Sequence, residues 1–120
     1  MKTNNIKVKT KTKKYTIVIG HNIIKKISNI LKKNNIFFKT CLIVVDKNIP
    51  LKFKSTLIKN LKVNKKFIYK FNPNEKNKSY KSVYQIHKYL FSKRFNREDC
   101  VISFGGGITG DVVGFASSTF

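Results

Sequence analysis

The sequence has few acidic residues, no tryptophan and no long apolar segment. Its 120 residues include 5 Asp or Glu against 26 Lys or Arg, a formal net charge of +21. The longest uncharged apolar run, residues 41–45, is far shorter than the roughly 20 residues that span a bilayer. The first residues, MKTNNIKVKTKTKK, contain neither an apolar core nor a small-residue cleavage site. We therefore predict no membrane span and no secretory signal.

Cysteine is also scarce, since Cys41 and Cys100 are the only two. Two cysteines cannot form the multi-disulfide framework of a small secreted protein, and they fit a reducing compartment. A hydrophobic fraction of 41% is enough to fill one core. The sequence thus predicts a globular, cytoplasmic chain that forms one domain or part of one.

The positive charge has two explanations. Lysines that neutralise phosphates favour binding to nucleic acid, so a basic nucleic-acid-binding module is one hypothesis. However, Arg94 and Arg97 are the only arginines, and the lysines are spread along the chain between apolar residues. Base readout favours arginine, and no nucleic-acid-binding motif is present. We favour the second explanation, that the many lysines reflect the codon usage of a genome rich in A and T, and we predict no nucleic-acid partner.

Hydrophobic periodicity predicts alternating strands and helices. Two short strands, Ile6–Thr10 and Tyr15–Ile19, flank a lysine-rich connection and predict a β-hairpin. Asn22 is a candidate N-cap for an amphipathic helix over residues 22–33. Three further strands are predicted at 40–45, 66–71 and 100–104, and helices at 51–61 and 111–120. Another helix is predicted to begin after Ser79 as its N-cap, with one face formed by Val83, Ile86, Leu90 and Phe91.

Strands that alternate with helices predict an α/β fold, a Rossmann-like parallel sheet covered by helices on both faces and preceded by the hairpin. In such sheets ligands bind at the carboxyl ends of the strands. Here these ends carry Asp46, residues 72–78 and residues 105–111. The final helical pattern has no stop signal after it, so we expect a fragment, truncated within this helix.

The strongest local motif is Gly105-Gly106-Gly107-Ile108-Thr109-Gly110, which fits G-x-G-x-x-G between a strand and a helix. Glycines let a ligand approach the backbone, and the N–H groups that begin the helix attract phosphate. The motif therefore predicts dinucleotide or phosphate binding, with a tight turn without ligand as the alternative.

Acidic residues near these turns are candidates for ligand contacts. Asp46 can accept hydrogen bonds from ribose hydroxyls or cap the next helix. Glu75 and Lys78 can form a small clamp or an ordinary surface pair. Asp111 is placed in the first turn of the last predicted helix, where the helix dipole favours any carboxylate.

The remaining candidates have structural interpretations. His21 and His87 are far from each other and from both cysteines, so no metal or nucleophile arrangement is predicted for them. Cys41 and Cys100 are predicted to be buried small hydrophobes. Core positions are predicted for Phe37, Phe38, Phe67, Phe104 and Phe115.

Residues 105–120, GGGITGDVVGFASSTF, resemble the glycine-rich motif of the 3-dehydroquinate synthase family. Residues 72–79, NPNEKNKS, are similar to the family's Pro-x-Gly-Glu-x-x-Lys-Ser segment, and residues 44–48, VVDKN, to its Asp-x-Asn strand end. Asn74 stands where the family usually has glycine, and asparagine tolerates positive φ well. The resemblance covers nearly the whole chain.

The resemblance implies that residues 1–120 are an N-terminal NAD-binding domain. It implies that Asp46 and Asn48 hold the adenosine side of NAD and that Glu75 and Lys78 also contact it. It further implies that the pyrophosphate lies against the backbone from Gly106 to Gly110, and that Asp111 contacts NAD. The residues so implied are Asp46, Asn48, Glu75, Lys78, Gly106, Gly107, Ile108, Thr109, Gly110 and Asp111.

The family's activity is also implied. Its members convert 3-deoxy-D-arabino-heptulosonate 7-phosphate to 3-dehydroquinate and phosphate in the shikimate pathway, with NAD and a zinc or cobalt ion. The metal ligands belong to a helical C-terminal domain that this sequence lacks, so no catalytic or metal-binding residue is assigned, and the fragment alone is expected to be inactive. A homodimer is implied for the full-length enzyme. Another sugar phosphate cyclase, an iron-type alcohol dehydrogenase and a non-catalytic remnant are the alternatives.

Overall fold

The computed structural model describes residues 2–120, in which strands and helices alternate after an initial hairpin. The order confirms the predicted α/β class, and most boundaries lie within two residues of the predicted ones. Short 3-10 helices lie at Ile23–Lys26 and Glu75–Asn77. The other elements are β1 (Asn4–Lys9), β2 (Lys14–Ile19), α1 (Ile27–Lys33), β3 (Thr40–Asp46), α2 (Leu51–Asn60), β4 (Lys65–Phe71), α3 (Tyr80–Ser92), β5 (Cys100–Phe104) and α4 (Gly107–Thr119).

Chain contacts divide the described residues into two units. The first contains residues 2–37 and Ser55–Lys62, and the second contains Phe38–Lys54 and Val63–Phe120. None of the described helices is both long enough and apolar enough to cross a membrane.

The first unit contains the predicted hairpin. β1 and β2 pair antiparallel, with Asn4 opposite Ile19 and Lys9 opposite Lys14. Thr10 closes the turn, because its Oγ1 accepts a hydrogen bond from the Lys13 N–H at 3.0 Å. The short polar connection is therefore stabilised by its own threonine.

The predicted helix over residues 22–33 is divided in two. Its first turn is the 3-10 helix Ile23–Lys26, and only Ile27–Lys33 is α-helical. The prediction that Asn22 caps it is wrong: Asn22 has a left-handed backbone with φ 56° and makes no side-chain cap. An N-cap residue normally needs an extended backbone to aim its side chain at the first N–H groups, and Asn22 lacks one.

Ser28 fixes α1 to the end of α2 within the same unit. Its Oγ donates to the Asn60 carbonyl at 2.8 Å and accepts from the Lys62 N–H at 2.9 Å. One hydroxyl thus satisfies two backbone groups where α2 ends.

The second unit is built on a parallel sheet with the strand order β4-β3-β5. β3 is central and is buried from Cys41 to Val45, as its continuous apolar sequence predicts. Its carboxyl end pairs with that of β4, where Asp46 lies opposite Phe71. The three strands therefore end at one edge, which is where the sequence places its polar turns.

One face of this sheet packs against α3 and α4. Val83, Ile86 and Leu90 are buried, as predicted, but Phe91 is 71% exposed and the prediction that it shares their face is wrong. Phe91 lies beyond the edge of the buried stripe and contacts Phe120 instead, with ring centroids 4.9 Å apart and the ring planes tilted by 60°. The buried cluster consists of Leu42, Val44, Phe71, Val83, Ile86, Leu90, Phe95, Val112, Val113 and Ala116.

Two other predicted core positions are also wrong. Phe37 is 70% exposed and Phe115 is 46% exposed, so neither belongs to a core in this structure. Phe115 makes an edge contact with Tyr80 at the surface, with ring centroids 6.0 Å apart. Aromatic residue type alone does not distinguish a core position from a surface contact.

The two cysteines begin paired strands, with Cys41 directly opposite Cys100 in the β3–β5 register. Both thiols are free, and Cys41 is buried, as predicted. The prediction that Cys100 is buried is wrong: it is only partly buried, because β5 lies at one side of the sheet. Burial raises the pKa of Cys100 to about 11, and burial followed by the neighbouring Cys100 raises the pKa of Cys41 to about 11.

We expect this burial to suppress thiol chemistry. Relative to a thiol of pKa 9.0, a pKa of about 11 leaves roughly a hundredfold less thiolate at pH 8. Labelling with a disulfide reagent at pH 8 should therefore be slow for the native protein and fast in denaturant. The same shift makes stability depend on pH, because both thiol pKa values are higher in the folded protein than in the unfolded chain. The contribution of the protonated thiols to the free energy of unfolding is complete below pH 9 and is lost as the pH rises towards 11. Equal labelling rates in both states would contradict this.

Candidate functional site

The candidate site lies at the carboxyl ends of the three parallel strands. Asp46 ends β3, Phe71 ends β4 ahead of the polar turn, and Phe104 ends β5 directly before the glycines. All three ends belong to the second unit. The fold thus brings the three predicted polar turns to one edge of one sheet.

The glycine-rich segment is mostly helical. α4 begins at Gly107, four residues earlier than predicted, and only Gly105 and Gly106 lie between β5 and the helix. Gly106 occupies the N-cap position with an extended backbone, φ −86° and ψ −161°, and no side chain caps the helix. The N–H groups of the first turn have no intrahelical partner and carry the positive end of the helix dipole. This end of α4 can accept an anion.

Gly105 is required by a close approach between β5 and β3. A Cβ at this position would lie 2.9 Å from the Asp46 Cβ and 2.8 Å from the Thr109 Oγ1. Real side chains do not tolerate such distances. The absence of a side chain at Gly105 therefore brings Asp46 and the start of α4 together.

At the other glycines of the motif, no neighbouring atom of the protein excludes a side chain. A Cβ at Gly106, Gly107 or Gly110 would meet no atom within 4 Å. In the dinucleotide-binding fingerprint the third glycine allows close packing of helix on strand, a role that Gly110 does not have here. These three positions are open to an external ligand, and Gly105 alone has the steric role.

Asp46 organises its own turn. Its Oδ1 accepts the Asn48 N–H at 2.7 Å, and its carbonyl accepts the Ile49 N–H at 3.2 Å. The alternative that Asp46 caps the next helix is wrong, because α2 begins only at Leu51, after Pro50. The turn occupies one carboxylate oxygen and holds the side chain at the strand end beside Gly105. The Asn48 residue itself is exposed.

Lys78 and Asp111 form an ion pair that spacing did not predict. Lys78 Nζ lies 2.9 Å from Asp111 Oδ2, so Lys78 forms its ion pair with α4 and not with Glu75, the partner in both alternatives that the sequence left open. The hydrogen bond and charge of Asp111, with a smaller effect of Glu75, raise the pKa of Lys78, which therefore stays cationic throughout the neutral range. Both side chains remain open to solvent, 47% and 62% exposed.

The helix-dipole interpretation of Asp111 is wrong. Because α4 begins at Gly107, Asp111 lies beyond the first helical turn, which contains no acidic residue. The dipole falls off within that turn. Asp111 instead forms the ion pair with Lys78.

The polar turn after β4 is fixed by two caps. The Asn74 side chain accepts the Asn77 N–H at 2.8 Å, and Ser79 accepts the Ser82 N–H at 3.4 Å, which confirms Ser79 as the cap of α3. Asn74 has φ −143°, so the expectation of a positive φ there is wrong. Asparagine is accepted at this position because its side chain caps the Glu75–Asn77 turn.

A cavity of about 340 Å³ lies beside the ion pair, and sequence analysis did not predict it. Its mostly apolar lining depends on the contact between Tyr80 and Phe115, which belong to different helices. No local spacing relates these two residues, so only the packing of α3 on α4 reveals the cavity. The lining residues are Lys78, Ser79, Tyr80, Val83, Asp111, Val112 and Phe115.

The predicted ligand residues Ile108 and Thr109 contribute little side chain to the surface. Ile108 is partly buried against the core, and Thr109 is completely buried. The Thr109 Oγ1 has no hydrogen-bond partner among the described residues. Because that side chain is enclosed, only the backbone N–H groups of these residues are suited to an external ligand.

Replacing Thr109 by valine is expected to stabilise the protein. Valine has nearly the same shape, and it removes a buried hydroxyl without a partner, whose burial costs about 1–3 kcal/mol. We expect chemical denaturation to show a free energy of unfolding higher by about 1 kcal/mol. The variant Thr109→Ser keeps the hydroxyl and should not gain. A clear loss of stability in Thr109→Val would show that the hydroxyl is bonded.

Residues 2–120 contain no group of three or more His, Cys, Asp or Glu arranged to hold a metal ion. His87 instead joins two helices, since its Nε2 lies 2.8 Å from the Ala116 carbonyl and 3.1 Å from the Thr119 hydroxyl. This gives His87 the local packing role that its isolated position predicts.

Sequence comparisons identify related proteins. Residues 68–120 match a family model described as 3-dehydroquinate synthase N-terminal. The chain is 52% identical over 115 residues to the 3-dehydroquinate synthase of Pelagibacter ubique, covering 96% of this chain and 31% of the relative. It is 35% identical to that of Clostridium botulinum, covering 94% of this chain and 33% of the relative. The chain thus spans about a third of the length of these relatives.

Solved structures share the fold. The crystal structure of 2-deoxy-scyllo-inosose synthase complexed with carbaglucose-6-phosphate, NAD+ and Co2+ matches with a TM-score of 0.84 at 17% identity. The match covers 98% of this chain and 32% of that protein.

Proposed function

Because the chain is homologous over nearly its whole length to 3-dehydroquinate synthases, and corresponds to their N-terminal part, we propose that it is the NAD-binding part of such an enzyme. The proposed reaction is the conversion of 3-deoxy-D-arabino-heptulosonate 7-phosphate to 3-dehydroquinate and phosphate. The partner is therefore a sugar phosphate, the proposed compartment is the cytoplasm, and a homodimer of the full-length enzyme is part of the proposal.

One observation of the site carries this proposal. The start of α4 has no side-chain cap, its glycines at 106, 107 and 110 face open space, and Gly105 brings Asp46 against it. An uncapped helix start suits a pyrophosphate, and a carboxylate at the neighbouring strand end suits the hydroxyls of a ribose. A dinucleotide carries both groups in one molecule.

The residues of this chain have distinct roles in the proposal. Asp46 accepts hydrogen bonds from ribose hydroxyls, and its turn with Asn48 fixes the carboxylate in place. The N–H groups of Gly107, Ile108 and Thr109, in the first turn of α4, bind the pyrophosphate. The Gly110 N–H donates to the Gly106 carbonyl at 3.0 Å, so Gly110 contributes open space beside the ligand and not a donor. Lys78, held cationic beside Asp111, donates hydrogen bonds to the dinucleotide, and Glu75 lies on the same turn. NAD, when bound, accepts and returns a hydride.

The catalytic groups and the metal ligands are proposed to lie outside this chain. The similar 2-deoxy-scyllo-inosose synthase was solved with NAD+ and Co2+, so a divalent metal is proposed for the full-length enzyme. A bound divalent cation stabilises charge that develops on an oxygen of the substrate. The part described here contributes cofactor binding and orientation to that reaction.

A chimeric enzyme tests the whole proposal. The matching third of the Pelagibacter ubique synthase is replaced by residues 1–120 of this chain, at 52% identity. We expect it to release phosphate from 3-deoxy-D-arabino-heptulosonate 7-phosphate in the presence of NAD and cobalt, and the same chimera with Asp46→Ala to be impaired. A folded chimera that releases no phosphate while binding NAD would reject the proposed reaction.

Titration of this chain separates the proposal from the nucleic-acid hypothesis. We expect saturable NAD binding by calorimetry and DNA binding that disappears as the salt concentration rises to the physiological range. Firm DNA binding at physiological salt, together with no binding of NAD, would favour the basic module instead.

A further inference from the structure

Thr109 has a buried hydroxyl that the fold does not use. The residue is completely buried in the first turn of α4, and its Oγ1 has no hydrogen-bond partner among the described residues. Most buried side-chain polar atoms in proteins are paired, so an unpaired one calls for an explanation. Valine has nearly the same shape and would avoid the cost of burying the hydroxyl. The threonine therefore points to a role outside the folding of this chain.

The hydroxyl borders the gap that Gly105 leaves at the end of β5. At the position of an added Gly105 Cβ, the nearest atom is the Thr109 Oγ1, at 2.8 Å, followed by the Asp46 Cβ at 2.9 Å. The hydroxyl and the Asp46 side chain therefore lie beside the same gap, and no side chain of Gly105 separates them. A carboxylate is the strongest acceptor for a hydroxyl donor, so Asp46 is the natural partner of Thr109.

The Asp46 carboxylate has an oxygen available for this partner. Its Oδ1 accepts the Asn48 N–H at 2.7 Å, which leaves Oδ2 for a second donor. Asp46 is partly exposed at the end of β3, so water can reach Oδ2 in the free protein. A carboxylate oxygen lies two bonds beyond the Cβ, and small rotations about the side-chain bonds can bring Oδ2 within hydrogen-bond distance of the Thr109 Oγ1.

Binding of a dinucleotide changes the surroundings of this carboxylate. In the proposed function the ribose hydroxyls donate to Asp46, and the ligand displaces water from it. A hydrogen bond is stronger where water is excluded, so each remaining donor to the carboxylate then contributes more. The Thr109 hydroxyl is already buried beside Asp46 and has no other partner to give up.

We propose that Thr109 is a positioning residue for the cofactor: when NAD binds, the Thr109 hydroxyl donates to the Asp46 carboxylate and orients it toward the ribose. This inference rests on the proposed function, in which Asp46 accepts hydrogen bonds from the ribose. Because the hydroxyl is unpaired in the free protein and paired in the complex, it strengthens cofactor binding and lowers the stability of the free protein.

NAD titration by calorimetry of two complementary variants tests this role. Thr109→Val keeps the shape and the backbone N–H but lacks the hydroxyl, and we expect it to bind NAD about tenfold more weakly. Thr109→Ser lacks the methyl group but keeps the hydroxyl, and it should bind NAD nearly as tightly as the unsubstituted protein. Thr40→Val is the matched control, because Thr40 begins β3 at the opposite end from Asp46, and it should leave the dissociation constant unchanged.

The Asp46→Ala background shows whether Thr109 acts through Asp46. If it does, Thr109→Val should weaken NAD binding little further once the carboxylate is absent. Chemical denaturation without NAD gives a second readout of opposite sign, since Thr109→Val should unfold at a higher denaturant concentration although it binds NAD more weakly. A role in shape alone would leave both properties of Thr109→Val nearly unchanged.

The outcomes separate this inference from the proposed function. If the protein binds NAD and Thr109→Val binds it equally well, the inference is wrong and the proposed function stands. The inference is also wrong if Thr109→Ser is impaired as much as Thr109→Val, or if the loss in Thr109→Val is undiminished in the Asp46→Ala background. If the protein binds no NAD, the proposed cofactor site is rejected and this inference with it.

Discussion

Replacing Gly105 by alanine is expected to lower the free energy of unfolding by about 1–3 kcal/mol, the usual cost of overpacking. The new Cβ would lie 2.9 Å from the Asp46 Cβ and 2.8 Å from the Thr109 Oγ1. Thr109 is completely buried and cannot move aside without displacing its neighbours. Either β5 and β3 separate at their ends or α4 shifts. Chemical denaturation measures the loss directly.

Gly114→Ala is the matched control for this substitution. Gly114 lies within α4 and has no atom within 4 Å of an added Cβ. Alanine is favoured over glycine in a helix, so the control should gain about 0.5–1 kcal/mol. If Gly105→Ala is as stable as Gly114→Ala, the close approach of β5 to β3 is not a property of the folded protein.

Replacing Asp46 by asparagine is expected to weaken NAD binding at least tenfold with little loss of stability. The asparagine side-chain oxygen can still accept the Asn48 N–H, which Asp46 Oδ1 now accepts at 2.7 Å, so the turn is retained. The charge and one acceptor oxygen are lost. Hydrogen bonds to a charged group contribute about 1.5–3 kcal/mol, which corresponds to roughly ten- to a hundredfold in the dissociation constant.

Two further variants define what the Asp46 result means. Asp46→Ala removes the turn hydrogen bond as well, so it should weaken NAD binding further and also lower stability by about 1 kcal/mol. Glu98→Gln removes one negative charge at an exposed position before the start of β5, at the opposite end of that strand from the glycine turn, and should leave the dissociation constant unchanged. Equal weakening by Glu98→Gln would mean that net charge, and not the carboxylate at the strand end, determines affinity.

The sequence predicted the alternation of elements because the apolar patterns are unambiguous. The continuous apolar residues of β3 and the 3.6-residue stripe of α3 allow one interpretation each. The start of α4 was missed for a physical reason. Glycine has a low helix propensity, so Gly107 and Gly110 indicate a turn, whereas packing of Val112, Val113 and Ala116 on the core makes them helical.

The site was predicted by position but not by contact. Topology alone places Asp46 and Gly105 at one sheet edge, since carboxyl ends of parallel strands meet there. The partner of Lys78 depends on how α3 packs on α4, and local spacing suggested Glu75 because it is nearer in sequence. The packing of the two helices brings Asp111 to Lys78, and the ion pair forms there. The sequence likewise does not show that Gly105 has a steric role and that the other glycines of the motif face open space, because this depends on the distance between Gly105 and Asp46 in the folded protein.

NAD titration of the protein and of Gly107→Ala, with Gly114→Ala as control, tests the central claim most directly. Both glycines lie on α4 with open space around them, so neither variant should unfold. If the start of α4 binds the pyrophosphate, calorimetry will show saturable NAD binding by the protein and by Gly114→Ala. Binding by Gly107→Ala will be at least tenfold weaker, because a methyl group then prevents the ligand from approaching the backbone. Unchanged affinity in Gly107→Ala would contradict the claim.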